Sequence, residues 1–176
     1  MLQLKCTKKV LKELGLNPDD LSKVRSPDTP LGNWYVNLFL INRRKAFLFM
    51  NERTLFSFVL IGVRKTFFPK LLELFFNGLE KVLTLEGFDR SEIDDVLAGY
   101  KSLEFTKTDS RILLGNVVDL VNLYKAFITS EGGLDNCDYA GIVSKINRTP
   151  QRNLGWLYSI DIVRELLRGN MRHFTQ

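Results

Sequence analysis

Histidine is nearly absent from this 176-residue chain: His173 stands alone, three positions from the end. A Ser-His-Asp triad, a Cys-His pair or a histidine-built metal site needs more than one tail imidazole, so those chemistries are disfavoured. His173 reads as a solvated tail residue. Cysteine is scarce too. Cys6 and Cys137 are far apart and lack CxxC spacing, which argues against a disulfide framework or a zinc site and for two small buried hydrophobes. No GxxxxGK[ST] occurs, and no GxGxxG follows a strand, so phosphate-loop nucleotide binding has no support. The run Leu55–Val63, interrupted by Ser57 and flanked by Arg53 and Arg64, is far short of the ~20 apolar residues of a membrane span. The N-terminal segment lacks a signal-peptide pattern. The expectation is a cytoplasmic protein with no membrane contact, no metal and no cofactor.

What is abundant is phenylalanine, at thirteen residues, and positive charge, at a formal +5. Burying a Phe contributes roughly 1.5–3 kcal/mol, so the chain holds ample core material and enough surplus for a subunit interface. The charge is segregated. Residues 40–70 hold seven basic side chains against Glu52, residues 144–176 hold six against two, and residues 71–100 hold two against seven. A one-sided basic surface suits an anionic partner.

The length fits one domain. Met1–Cys6 alternates as a strand with Leu2, Leu4 and Cys6 on one side. Thr7 is placed to cap a short helix that Gly15 stops. Asn17-Pro18-Asp19-Asp20 opens a turn or two of helix. Trp34–Ile41, Ala46–Met50 and Leu55–Ile61 are β-rich runs joined by the polar Asn42–Lys45 and Asn51–Thr54, which predicts an antiparallel meander. Its faces, Trp34, Val36, Leu38 and Leu40 against Tyr35, Phe39 and Ile41, are both apolar, so helices or another subunit must cover the sheet twice. Helices are predicted over Thr66–Leu85, over Ser91–Tyr100 with Ser91 as cap and Asp94 three on, from Asp109 or Ser110 to Gly132-Gly133, and over Tyr139–Ile146 and Ser159–Arg168. Leu103–Lys107 is a short strand. The fold class is therefore α+β, a mainly antiparallel sheet with a three-strand meander, covered by helices.

Three places carry candidate chemistry. The hairpin tip Arg43, Arg44 and Lys45 could hold nucleic-acid phosphates or merely solubilise the sheet end, and Arg53 belongs to the opposite end of the middle strand. The acid pairs Asp19-Asp20 and Asp94-Asp95 are explained by helix-dipole and cap roles without a metal. The densest segment is Thr106–Asn116, running from a strand end into a helix start. There Lys107, Thr108, Ser110, Arg111 and Asn116 could gather around an anion, with Asp109 competing as cap. Arg148 and Arg152, in the polar turn Asn147–Arg152, are weaker additions to the same candidate site.

The stretches MLQLKCTKK (1–9), LGNWYVNL (31–38) and FMNERTLFSF (49–58), with Ser110-Arg111, Leu114-Gly115-Asn116 and Asn147–Pro150, resemble an uncharacterised bacterial family catalogued as a domain of unknown function. The resemblance spans most of the chain. It implies an intact domain of bacterial origin and supplies no mechanism. The leading expectation is a non-enzymatic module that binds nucleic acid or another polyanion. A phosphoester-processing enzyme using Asp109 and Arg111 is the second, and a homo-oligomeric interaction module the third.

Overall fold

A computed structural model describes residues 1–63 and 70–169. Five strands, β1 (Leu2–Cys6), β2 (Trp34–Ile41), β3 (Arg44–Asn51), β4 (Ser57–Ile61) and β5 (Leu103–Lys107), form one sheet in the order β4-β3-β2-β1-β5. The predicted meander is present, with β2 antiparallel to β3 and β3 to β4. The sheet is nevertheless mixed, not mainly antiparallel, because β1 runs parallel to both β2 and β5. The physical reason lies in the connections. Helix α1 (Lys8–Leu14) and the loop after it carry the chain from β1 back to the start of β2, and helices α2 (Leu71–Leu85) and α3 (Arg90–Gly99) intervene before β5. Long crossovers of this kind join parallel strands, whereas tight turns join antiparallel ones.

Register assigns the faces. Leu4, Trp34, Phe49 and Phe58 share one face, where Phe75 of α2 meets the Trp34 ring edge-on at 5.3 Å and Phe49 stacks on Phe58 at 5.1 Å. The Trp34 indole donates to Tyr100 Oη at 3.0 Å, and Tyr100 donates on to the Gly32 carbonyl at 2.9 Å. The other face carries Tyr35, Leu48 and Val59, under helices α4 (Arg111–Ser130) and α5 (Tyr139–Asn147). Helix α6 (Ser159–Leu167) closes the described chain. Both apolar faces are thus covered by helices of the same chain, and most of the described phenylalanines are spent in this core. Helix α4 is long and apolar enough to cross a membrane by length and composition. Here it packs on the sheet through Val117, Leu120, Tyr124 and Ile128.

The β4 edge is occupied, and the β5 edge is bridged at one point. At β4, the Asn147 side chain accepts from Ser57 N (2.8 Å) and donates to Ser57 O (2.9 Å), imitating a neighbouring strand. Two residues on, Tyr139 Oη accepts from Val59 N at 3.1 Å and donates to Val59 O. At β5, Ser22 N donates to Phe105 O at 2.9 Å. A satisfied edge such as that of β4 does not template pairing with another chain.

Several local expectations are corrected. The hairpin turn is Asn42-Arg43 alone, with φ of 46° and 62°, and Arg44 and Lys45 already belong to β3. Two left-handed residues make the tight turn that matches strand twist. Helix α3 is capped by Asp89, whose own N–H is taken by Glu92, rather than by Ser91 and Asp94. Thr7 makes no cap bond and donates to Asn37 Oδ1 instead. Asn17–Asp20 yields one 3-10 turn, its capping box closed by Asn17 N donating to Asp20 Oδ2 at 2.7 Å. The start predicted for α2 at Thr66 falls in residues 64–69, outside the described residues, as does His173.

Candidate nucleic-acid interface

The Thr106–Asn116 junction is built on a polar region of the sheet. On β1, Gln3 and Lys5 point to the face opposite Leu4, in register with Glu104 and Thr106 of β5, and Lys5 also with Tyr35 of β2. Loop 21–33 crosses this region: Gln3 donates to the Lys23 carbonyl and to Glu104, and accepts from Arg25 N. Lys5 is 6% exposed and reaches Glu52 at 2.6 Å and Asp109 at 2.8 Å. Tyr35 Oη donates to Asp109 and accepts from Ser110 N.

These contacts fix the charge states. Burial works against the Lys5 ammonium, but the hydrogen bonds to Asp109 and Glu52 outweigh it, and its pKa is raised. Burial likewise pushes the Asp109 carboxyl up, yet the bonds from Lys5 and Tyr35 win and the net shift is downward. The Tyr35 hydroxyl is raised by burial and by the Asp109 carboxylate. Asp109 is therefore an ionised counter-ion with each oxygen accepting one bond, while the general base of a phosphoester-cleaving site must be free to take a proton. Capping falls to Ser110, whose Oγ accepts from Leu113 N at 3.3 Å. Lys107 and Arg111 are exposed, Thr108 is half-buried, and Lys107 and Arg111 have no acidic partner among the described residues.

Asn116 is buried one turn further along α4, and its Oδ1 accepts from Asn153 Nδ2 at 2.6 Å. That bond docks a compact loop onto the helix. Gln151 N donates to Leu157 O, and the N–H groups of Leu154 and Trp156 return to Gln151 O. Gly155 and Trp156 both take left-handed φ values, 64° and 67°. The result is that Trp156 projects with 67% of its surface exposed, next to the exposed Leu157 and Tyr158. Arg152, in the 3-10 turn Arg152–Leu154, is exposed and has no acidic partner among the described residues. Ile112, 69% exposed, precedes Asn116 by four residues and so lies on the same flank of α4.

The remaining sequence candidates lie elsewhere. Arg148 caps α5 and pairs at 2.6 Å with Glu86, a fully buried carboxylate at the end of α2 whose carbonyl also accepts from Arg164. At the hairpin tip Arg44 pairs with Asp135 at 3.0 Å and Lys45 with Glu13 at 2.5 Å, leaving Arg43 exposed. Reasoning from the sequence missed Trp156 and Tyr158 altogether. The available signal was the Gly155-Trp156 pair inside a polar, arginine-bearing loop.

A family profile matches residues 3–162, nine-tenths of the chain. The chain belongs to the domain of unknown function DUF6933. The membership expected from the sequence motifs is borne out at that level, and DUF6933 carries no assigned activity. No curated protein matches the chain.

Proposed function

We propose that this DUF6933 chain is a non-enzymatic module that binds single-stranded nucleic acid on the surface made by the 151–158 loop and the first turns of α4. The observation that carries this reading is Trp156: a large apolar ring held in solvent, on a backbone of positive φ, by a loop pinned to α4 through Asn153 and Asn116. Non-glycine residues in that conformation are uncommon and gather at functional sites. An exposed indole offers a stacking surface that any nucleobase accepts, worth about 1–3 kcal/mol per base. Arg152 beside it, with Arg111 and Lys107 at the helix start, supplies charge for phosphates without a protein acid to neutralise it. The engaged Asp109 counts against the hydrolytic alternative, and the satisfied β4 edge counts against self-association by pairing at that strand.

Fluorescence tests the reading directly. The chain has two tryptophans, and Trp34 is fully buried, so quenching on adding a single-stranded oligonucleotide reports Trp156. Trp156→Ala should weaken binding by about 5- to 150-fold, the equivalent of 1–3 kcal/mol. Arg152→Ala should lower the salt slope of binding by about one. Unquenched emission at low salt, or a Trp156→Ala variant that binds undiminished, refutes the proposal.

A further inference from the structure

A cleft of about 610 Å³ opens where α1 and α4 approach the β2–β3 hairpin. This is within the size range of small-molecule sites. Four lysines line it, Lys9 and Lys12 from α1, Lys45 from β3 and Lys125 from α4, against Glu13 alone. Glu13 is already held by Lys45 at 2.5 Å. Lys9, Lys12 and Lys125 are exposed and have no acidic partner among the described residues. Lys9 and Lys12 stand three residues apart on one helix face, where like charges repel. Its apolar lining comes from both faces of β2, with Leu38 and Leu40 on the Lys45 side of the strand and Phe39 on the opposite side. Leu40 is 58% exposed, and the Phe39 ring lies 5.8 Å beneath the Lys125 ammonium.

From this combination we propose that the cleft binds a small ligand carrying a short phosphate chain on a planar group, of the nucleoside triphosphate class. Three unneutralised ammonium groups around one space match the multiple charges of a phosphate chain, which lysine contacts as a point charge. Leu40, an aliphatic side chain left in solvent on a strand that otherwise faces core, supplies a surface on which a planar group rests. Glu13 limits the charge on the hairpin side by engaging Lys45. The phosphates therefore sit toward Lys9 and Lys12 and the planar group toward Leu40, with Lys125 reaching the cleft from the opposite, Phe39 face of β2. The cleft is separate from the Trp156 surface. Asn116, which holds the 151–158 loop, and Lys125 are nine residues apart on α4, and nine steps of 100° put them on opposite flanks of the helix. The inference therefore stands whether or not the nucleic-acid reading does.

Titration calorimetry on the full chain decides it, with ATP, GTP, tripolyphosphate and a single-stranded oligonucleotide as probes. ATP and GTP are expected to bind with similar affinity, since no directional group addresses the base. Lys9→Ala with Lys12→Ala should weaken ATP at least tenfold. Leu40→Ser should weaken ATP and leave tripolyphosphate unchanged. Glu13→Gln, which frees Lys45, should tighten both. Trp156→Ala should leave nucleotide binding intact while reducing oligonucleotide binding, which separates the two sites. No heat from any nucleotide at millimolar concentration overturns the proposal. So does ATP binding that persists in Lys9→Ala/Lys12→Ala/Lys125→Ala, or a response to the oligonucleotide alone. Lys9, Lys12, Lys125, Leu40 and Trp156 are exposed and Glu13→Gln is isosteric, so unchanged circular dichroism is expected and certifies the folded state.

Discussion

Replacing Lys5 by methionine tests the polar seam that joins β1, the β3–β4 turn and the start of α4. The substitution keeps an unbranched side chain of similar length and removes the ammonium shared by Glu52 and Asp109. The two carboxylates respond differently. Glu52 is 11% exposed and stays buried without its counter-charge, whereas Asp109 is 40% exposed and is rehydrated. Breaking a buried pair from one side costs ~3–5 kcal/mol, and an exposed pair contributes ~0–1 kcal/mol. Glu52 therefore sets the loss, at about 3 kcal/mol, which for a chain of this size lowers Tm by about 6–12 °C. Urea unfolding followed by circular dichroism gives the free energy. Asp109 has a depressed pKa, so its stabilisation is present above the ordinary carboxyl value of 3.8 and is lost as pH falls through the folded value. Lys5 has a raised pKa, so its part is present below 10.5 and is lost as pH rises through the folded value. The gap between wild type and Lys5→Met should accordingly be widest near neutrality and narrow below about pH 4. Adding Glu52→Gln to Lys5→Met removes the stranded charge and should recover more than half the loss. A single variant that loses under ~1 kcal/mol, the scale of a surface pair, or a double variant no more stable than the single, refutes this account of the seam.

Much of the fold was legible in the residues because its signals are local. The β2 and β5 spans, the start of α5 at Tyr139 and the start of α6 at Ser159 follow from alternation, caps and 3.6-residue periodicity. The direction of β1 was not legible. Alternation in Leu2–Cys6 predicts a strand and two faces but says nothing about which neighbour it pairs with, and β5, its parallel partner, lies about a hundred residues away. The turn at Asn42-Arg43 was read two residues too long, since Arg44 and Lys45 look like loop until their cross-strand partners Ile41 and Leu40 are known.

The candidate site was half legible. Charge and hydroxyls at Thr106–Arg111 pointed to a helix start, but only tertiary placement shows that Asp109 is claimed by Lys5 from 104 residues away. The same holds for Arg148, whose acid, Glu86, ends a different helix. Trp156 was invisible for the opposite reason. An isolated tryptophan usually reads as core, and its exposure follows from the left-handed Gly155-Trp156 backbone and the Asn153–Asn116 bond. The lysine cleft draws on α1, β3 and α4, so no window of sequence contains it.

Gly78 and the β4 edge provide two further checks. Within α2, alanine would ordinarily favour the helix by ~0.5–1 kcal/mol, but a Cβ at Gly78 would lie 2.5 Å from the Phe58 ring. Phe58 is locked among Trp34, Phe49 and Phe75, so Gly78→Ala should destabilise by a net ~1–3 kcal/mol in urea unfolding; a stabilised variant would mean the ring cluster yields. At the edge, Asn147→Leu leaves Ser57 N buried and unpaired, while Ser57 O keeps the Tyr124 hydroxyl at 3.2 Å. One orphaned donor predicts a loss of ~1–3 kcal/mol. Combining it with Tyr139→Phe also uncovers Val59 N and O, which opens two alternate outward peptide groups of β4. These are the groups a second strand would pair with, so the double variant should self-associate with rising concentration in light scattering while wild type does not. If the double variant scatters no more than wild type, the edge is protected by something other than α5. Restoring Tyr139 alone should reverse part of the association, because the Val59 groups are then satisfied again and only the Ser57 donor remains open.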